Sequence, residues 1–113
     1  MSLPTTTDAT FADDVLAAPV PVLVDFTAAW CPPCRLVEPV LEQIAAEQGD
    51  RLRVVSLDAD TNPRTVLRYD VIGMPTLALF VDGEMVVRLL GAKPRVAILR
   101  ALEPHLTTPA AAQ

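Results

Sequence analysis

The spacing of apolar positions changes several times along the chain, and each change predicts an element. Phe11, Val15 and Leu16 fall on one face of a short helix, with Thr10 placed to cap it and Pro19 to stop it. Val20 to Phe26 reads Val-Pro-Val-Leu-Val-Asp-Phe. This is an apolar, β-branched run on both faces, as in a central strand covered on both sides. Only Asp25 interrupts it. Leu36, Val37, Val40, Leu41 and Ile44 then recur at helical spacing, which predicts a long helix ending at Gly49 and kinked at Pro39.

Leu52 to Leu57 reads as a second strand, and Asn62-Pro63 is placed to cap and open a short helix carrying Val66, Leu67 and Tyr69. Thr76 to Val81 and Glu84 to Leu90 are β-rich runs joined by Asp82-Gly83, the signature of a tight hairpin. Pro94 opens a last amphipathic helix with Val96, Ile98, Leu99, Leu102 and Leu106. Residues 1–7 are expected to be a flexible start or an expression remnant, 8–106 one domain, and 107–113 a small, polar, mobile tail. The order α, β, α, β, α, β, β, α predicts an α/β fold, with a right-handed parallel βαβ unit and an antiparallel hairpin in one mixed sheet covered by helices.

A chain of 113 residues with 51% apolar and 20% charged residues suits one globular domain and argues against disorder. Its net charge of −5 opposes the phosphate attraction that nucleic-acid binding needs, so DNA and RNA are not expected partners. The longest uncharged apolar stretch, Val71 to Val81, is broken by Gly73 and Pro75 and too short to cross a bilayer. The start of the chain carries neither a basic region nor an apolar core of a secretory signal, so a cytoplasmic location is expected, or an exported one if a leader has been trimmed.

Both cysteines lie in Trp30-Cys31-Pro32-Pro33-Cys34, at the junction of the apolar strand and the long helix. Unpaired N–H groups and the helix dipole favour a thiolate there, which makes Cys31 the expected nucleophile. Cys34, one helical turn on, can reach the Cys31 sulfur and is the expected, more buried, resolving thiol. Pro32 and Pro33 fix the loop but remove N–H donors, so they shift the redox potential in a direction that opposing effects leave open. A purely structural disulfide would close too little chain to stabilise much. A zinc site needs four ligands while the only histidine, His105, is remote, and an iron–sulfur cluster shared between two subunits finds no other support. No metal is expected.

Asp25 is costly to bury ionised, so its pKa is expected to rise. It is read either as the acceptor of the Cys34 proton, through a water, or as an inward hydrogen-bonding residue. Gly73-Met74-Pro75-Thr76 offers a site for a cis peptide, and Trp30 is either core or contact surface. His105 and the scattered arginines read as solvated surface.

Taken together, Val22 to Phe26, Trp30 to Arg35, Pro39, Asp60 with Asn62-Pro63, Gly73 to Thr76, Asp82-Gly83 and Gly91-Ala92 resemble the thioredoxin family over nearly the whole chain. The resemblance implies a central five-stranded sheet flanked by four helices, a cis peptide before Pro75, and a dithiol that reduces disulfides in other proteins without a metal or organic cofactor. It implies that Cys31 attacks, Cys34 resolves and Asp25 assists. Trp30, Gly73, Met74, Pro75, Gly91 and Ala92 would form the surface where an extended peptide docks, pairing with the Met74 backbone. The chain departs from the family pattern in three places. Pro32-Pro33 replaces Gly-Pro, as in tryparedoxins and nucleoredoxins, Thr27 replaces an aromatic, and Ser56 replaces a lysine near the buried aspartate.

The expected function is therefore reversible Cys31/Cys34 dithiol–disulfide exchange, in a monomer that acts on disulfide-containing client proteins and is recycled by a separate reductase. The alternatives are an exported or disulfide-donating relative, and a redox-silent binding module on the same fold.

Overall fold

The computed structural model describes residues 3–106, and the expected tail at 107–113 lies outside the described residues, as do the first two. Strands β1 (Val22–Thr27), β2 (Arg53–Asp58), β3 (Thr76–Val81) and β4 (Glu84–Leu90) form one sheet in the order β2-β1-β3-β4. β1 runs parallel to β2 and antiparallel to β3, and Asp25 stands opposite Ser56 on one side and Leu77 on the other. The helices are α1 (Pro32–Gln48), α2 (Pro63–Arg68) and α3 (Arg95–Leu102). The expected mixed α/β architecture is present.

Alternation along β1 divides the core. Leu23 packs with Val37, Leu41 and Ile44 of α1 and with Ile98 and Leu102 of α3. Val22, Val24 and Phe26 pack on the other face with Phe11, Val15, Val71 and Phe80. Each such fully buried side chain contributes about 1.5–3 kcal/mol of hydrophobic stabilisation. The period-2 rule puts Asp25, and Thr27 after it, on the α1 face. An otherwise apolar strand thus carries its carboxylate toward the helix that begins with the cysteines.

Four expectations are corrected. Among the described residues the sheet has four strands rather than five, and residues 3–7 are not a free segment. Leu3 is buried, Thr5 forms an isolated parallel bridge with Ser56, and backbone bonds link Thr6 N–H to Ser56 and Ser56 N–H to Pro4. Pro4 has no N–H, which limits this contact to a bridge. The first helix is a five-residue π-helical turn, Ala12–Leu16, that Thr10 does not cap. Thr10 and Thr7 instead exchange N–H to Oγ bonds of 3.1 and 3.2 Å ahead of it.

Asn62 likewise caps nothing with its own side chain. The free N–H groups of Arg64 and Thr65 at the start of α2 donate to the Asp8 carboxylate, as does the Thr65 hydroxyl, and Asn62 Oδ1 accepts the Asp8 N–H. Desolvation pushes the Asp8 pKa up, but these hydrogen bonds and the Arg64 charge together hold it below the usual value. On α3, Val96 faces solvent while Ile98 and Leu102 fill the core.

The hairpin follows the sequence pattern, with Asp82 and Gly83 both at positive φ, 52° and 83°. α1 runs on through Pro39 and ends at Gly49. Among the described residues no helix is long and apolar enough to cross a membrane.

Candidate active site

β1 ends at Thr27 and α1 begins at Pro32, so the chain turns sharply through Ala28, Ala29, Trp30 and Cys31. Cys31 is the N-cap of α1, in an extended conformation, and its Sγ accepts the Cys34 N–H at 3.2 Å. An N-cap side chain ordinarily draws on the N–H groups at the second and third helical positions. Pro33 occupies the second and has no N–H, which leaves Cys34 as the donor that reaches the sulfur. Cys31 and Cys34 are joined by a disulfide, with Cα atoms 5.3 Å apart.

Both cysteines are 2% exposed, so residue burial does not separate them as expected. Their surroundings do. Cys34 lines a cavity of about 300 Å³ together with Thr27, Ala28, Ala29, Arg35, Glu38 and Asp58. Thr27 stands here where the family pattern would place an aromatic. Arg35 donates through Nη2 to the Ala29 carbonyl at 2.8 Å, tying the helix start to the preceding turn.

Asp25 is 1% exposed, and its Oδ1 has no hydrogen-bond partner. Burial, and next the like charge of Glu38, push its pKa up to about 7. The position opposite it on β2 is Ser56, which carries no charge to offset this. The orphaned oxygen disfavours the reading of Asp25 as an inward residue held by hydrogen bonds.

Met74 packs against Ala28, Cys31 and Cys34, and the Met74–Pro75 peptide is cis. Thr76 Oγ1 donates to the Gly73 carbonyl at 2.6 Å and holds that loop. Gly91, at φ 96°, donates its N–H to the Pro75 carbonyl at 2.8 Å, which brings the β4–α3 connection, with exposed Ala92, beside it. Trp30 is 66% exposed, and its Nε1–H donates to Asp60 at 2.8 Å, so it is surface rather than core. Sequence reasoning missed Glu38 and Asp58. Glu38 could have been found, because it lies four residues after Cys34 and therefore on the same helical face.

The proline at position 33 makes a prediction of its own. Pro33→Ala restores an N–H at the second helical position, and the added charge-assisted hydrogen bond is expected to stabilise the Cys31 thiolate and move its alkylation midpoint to lower pH. Alkylation of the reduced protein as a function of pH reads this directly. An unchanged midpoint would mean that the new donor does not reach the sulfur.

Comparison with known proteins meets this geometry from another side. The thioredoxin family model matches residues 2–104. A thioredoxin of Mycobacterium bovis is 55% identical over 96 residues, which cover 85% of this chain and 83% of that protein. A thioredoxin of Mycolicibacterium smegmatis is 51% identical over 102 residues, 88% and 91% of the two chains. A bifunctional thioredoxin reductase/thioredoxin of Mycobacterium leprae is 52% identical over 96 residues, 85% of this chain and 21% of that one. A match of this extent accounts for a bonded cysteine pair at a helix start beside a cis proline, and the chain belongs to the thioredoxin family of thiol–disulfide oxidoreductases.

Proposed function

We propose that the chain works as a reductant of client-protein disulfides, with Cys31 as nucleophile and Cys34 as resolving thiol. In the reduced form the Cys31 thiolate attacks one sulfur of the client disulfide, forming a mixed disulfide and expelling the client's other sulfur as a thiolate. Cys34 then gives its proton to the Asp25 carboxylate and attacks Cys31 Sγ. The second client thiolate leaves, two electrons have passed to the client, and Cys31–Cys34 is a disulfide. A separate reductase returns the electrons, as the fused reductase and thioredoxin of the Mycobacterium leprae relative suggests.

The observation that carries this reading is the asymmetry of the pair. Cys31 Sγ takes the helix N-cap position, where a negative sulfur is stabilised, while Cys34 lines the cavity it shares with Glu38 and Thr27. Client binding is assigned to Trp30, Gly73, Met74, Pro75, Gly91 and Ala92, a reading supported by Met74 packing against both cysteines and by the Gly91 N–H bond to Pro75. The working unit is a monomer, in the cytoplasm.

Titration in defined thiol–disulfide buffers, followed by Trp30 fluorescence, tests the direction of flow. A reversible couple more reducing than about −260 mV, the lower end of the extracted cytosolic glutathione range, is expected. A couple near the roughly −120 mV of strong disulfide donors would reverse the assignment.

A further inference from the structure

The proposed mechanism leaves unused a second carboxylate on the Asp25 side of the sheet. Glu38 lies on α1 one turn beyond Cys34, is half-buried, and lines the same cavity as Cys34 and Thr27. Thr27 is two residues beyond Asp25 on β1 and so shares its face. α1 packs on that face through Val37, Leu41 and Ile44, which fixes the side of the helix that looks down on β1. The cavity, about 300 Å³ and bordered by polar side chains, is large enough to admit water.

The other groups toward Asp25 are few. α1 contributes Cys34 and Arg35, and the Arg35 guanidinium is drawn to the Ala29 carbonyl. β2 presents Ser56 opposite Asp25, and Asp58 at the cavity. β3 presents Leu77, and α3 covers the face with Ile98 and Leu102. The charges are thus mainly negative, with Glu38 nearest in effect.

We infer that Glu38 is a positioning residue for the proton of the resolving step, its carboxylate acting from the cavity beside Cys34 on Asp25, the acceptor of that proton. The inference rests on the reading of Asp25 as that acceptor. A negative Glu38 disfavours a second negative charge on Asp25, so it keeps Asp25 protonated to higher pH. Removing the charge must move ionisation to lower pH.

The test uses the full chain as wild type, Glu38→Gln and Glu38→Asp. The Asp25 side-chain carboxyl carbon is followed by NMR against pH, and resolution of a preformed mixed disulfide is followed by stopped flow over the same range. In Glu38→Gln the Asp25 midpoint is expected to fall by about half a pH unit, and the acidic limb of the resolution profile to move with it. Resolution on that limb becomes about threefold faster, as a midpoint lowered by that amount requires. Glu38→Asp, which keeps the charge, is expected to stay closer to wild type in both readouts.

An Asp25 midpoint that does not move in Glu38→Gln overturns the inference and leaves the role of Asp25 standing. A midpoint that falls while the resolution profile stays in place overturns the role of Asp25 as acceptor, and the inference with it. Equal displacement of both readouts in Glu38→Gln and Glu38→Asp would assign the effect to packing rather than charge, and would also overturn the inference.

Discussion

Replacing Cys34 by serine is expected to give a protein that attacks one disulfide and stays attached to it. The nucleophile and its N-cap position remain, although Cys34→Ser changes the residue that donates its N–H to Cys31 Sγ; the donor itself is backbone and is retained. What disappears is the intramolecular exit. With Cα atoms 5.3 Å apart, the second sulfur sits within reach of the mixed disulfide at an effective concentration that well-placed groups raise to about 10⁵ M. Millimolar external thiol cannot replace it, so multiple-turnover reduction should fall at least about a thousandfold while the first attack stays within a few-fold of wild type. Mass spectrometry under non-reducing conditions should find the client bonded to Cys31. Cys31→Ser should form no such adduct at a comparable rate. If it did, Cys34 would be the nucleophile and the assignment would be reversed.

Much of this site was legible because its determinants are local. A Cys-x-x-Cys pair where an apolar strand meets a helical stripe needs no tertiary knowledge to be placed at a helix start, and Asp82-Gly83 requires the positive φ angles the hairpin has. Asp25 was conspicuous as the one charge in an apolar run. The errors came where distant segments supply the partner. Asn62 precedes Pro63 and looks like a cap, yet Asp8, far away in sequence, takes the free N–H groups of α2. Thr10 is the exception, losing its capping role to a local turn with Thr7, three residues away. Leu3 and Thr5 sat in a polar start whose packing depends on the β2 edge, which no local pattern reveals.

Glu38 shows a different limit. Its helical face was predictable from the spacing of Val37, Leu41 and Ile44, but its significance depends on which strand lies beneath that face and on where Asp25 falls along it. The family pattern could not supply this. It pointed to Ser56 as a missing cation, and the added negative charge from α1 emerged only when β1 and α1 were seen packed together.

The stability of the disulfide form should fall as the pH rises through the window set by Asp25, and Asp25→Asn should remove that dependence. In the unfolded chain the carboxyl ionises around its ordinary 3.8, whereas in the folded protein it does so at about 7. Between these values the folded state holds a proton that the unfolded state has released, so each step up in pH favours unfolding. The stabilisation is complete below about 3.8, declines through the interval and is fully lost above about 7. The loss amounts to about 4 kcal/mol at most, since each pH unit between the two ionisation midpoints is worth about 1.36 kcal/mol. Asparagine cannot ionise and fills nearly the same volume, so relative to wild type the variant should gain stability steadily from about pH 4 to about pH 8. Urea unfolding at intervals across that range measures the difference. A constant offset between the two proteins would mean that Asp25 ionises at the same pH folded and unfolded. Stability gained this way is expected to carry a catalytic loss, because the variant has no carboxylate to accept the Cys34 proton and its mixed disulfide should resolve about 100-fold more slowly. The orphaned Oδ1 is therefore tolerated at a cost to folding that rises with pH, and the same ionised carboxylate that weakens the fold is the form able to act as a base.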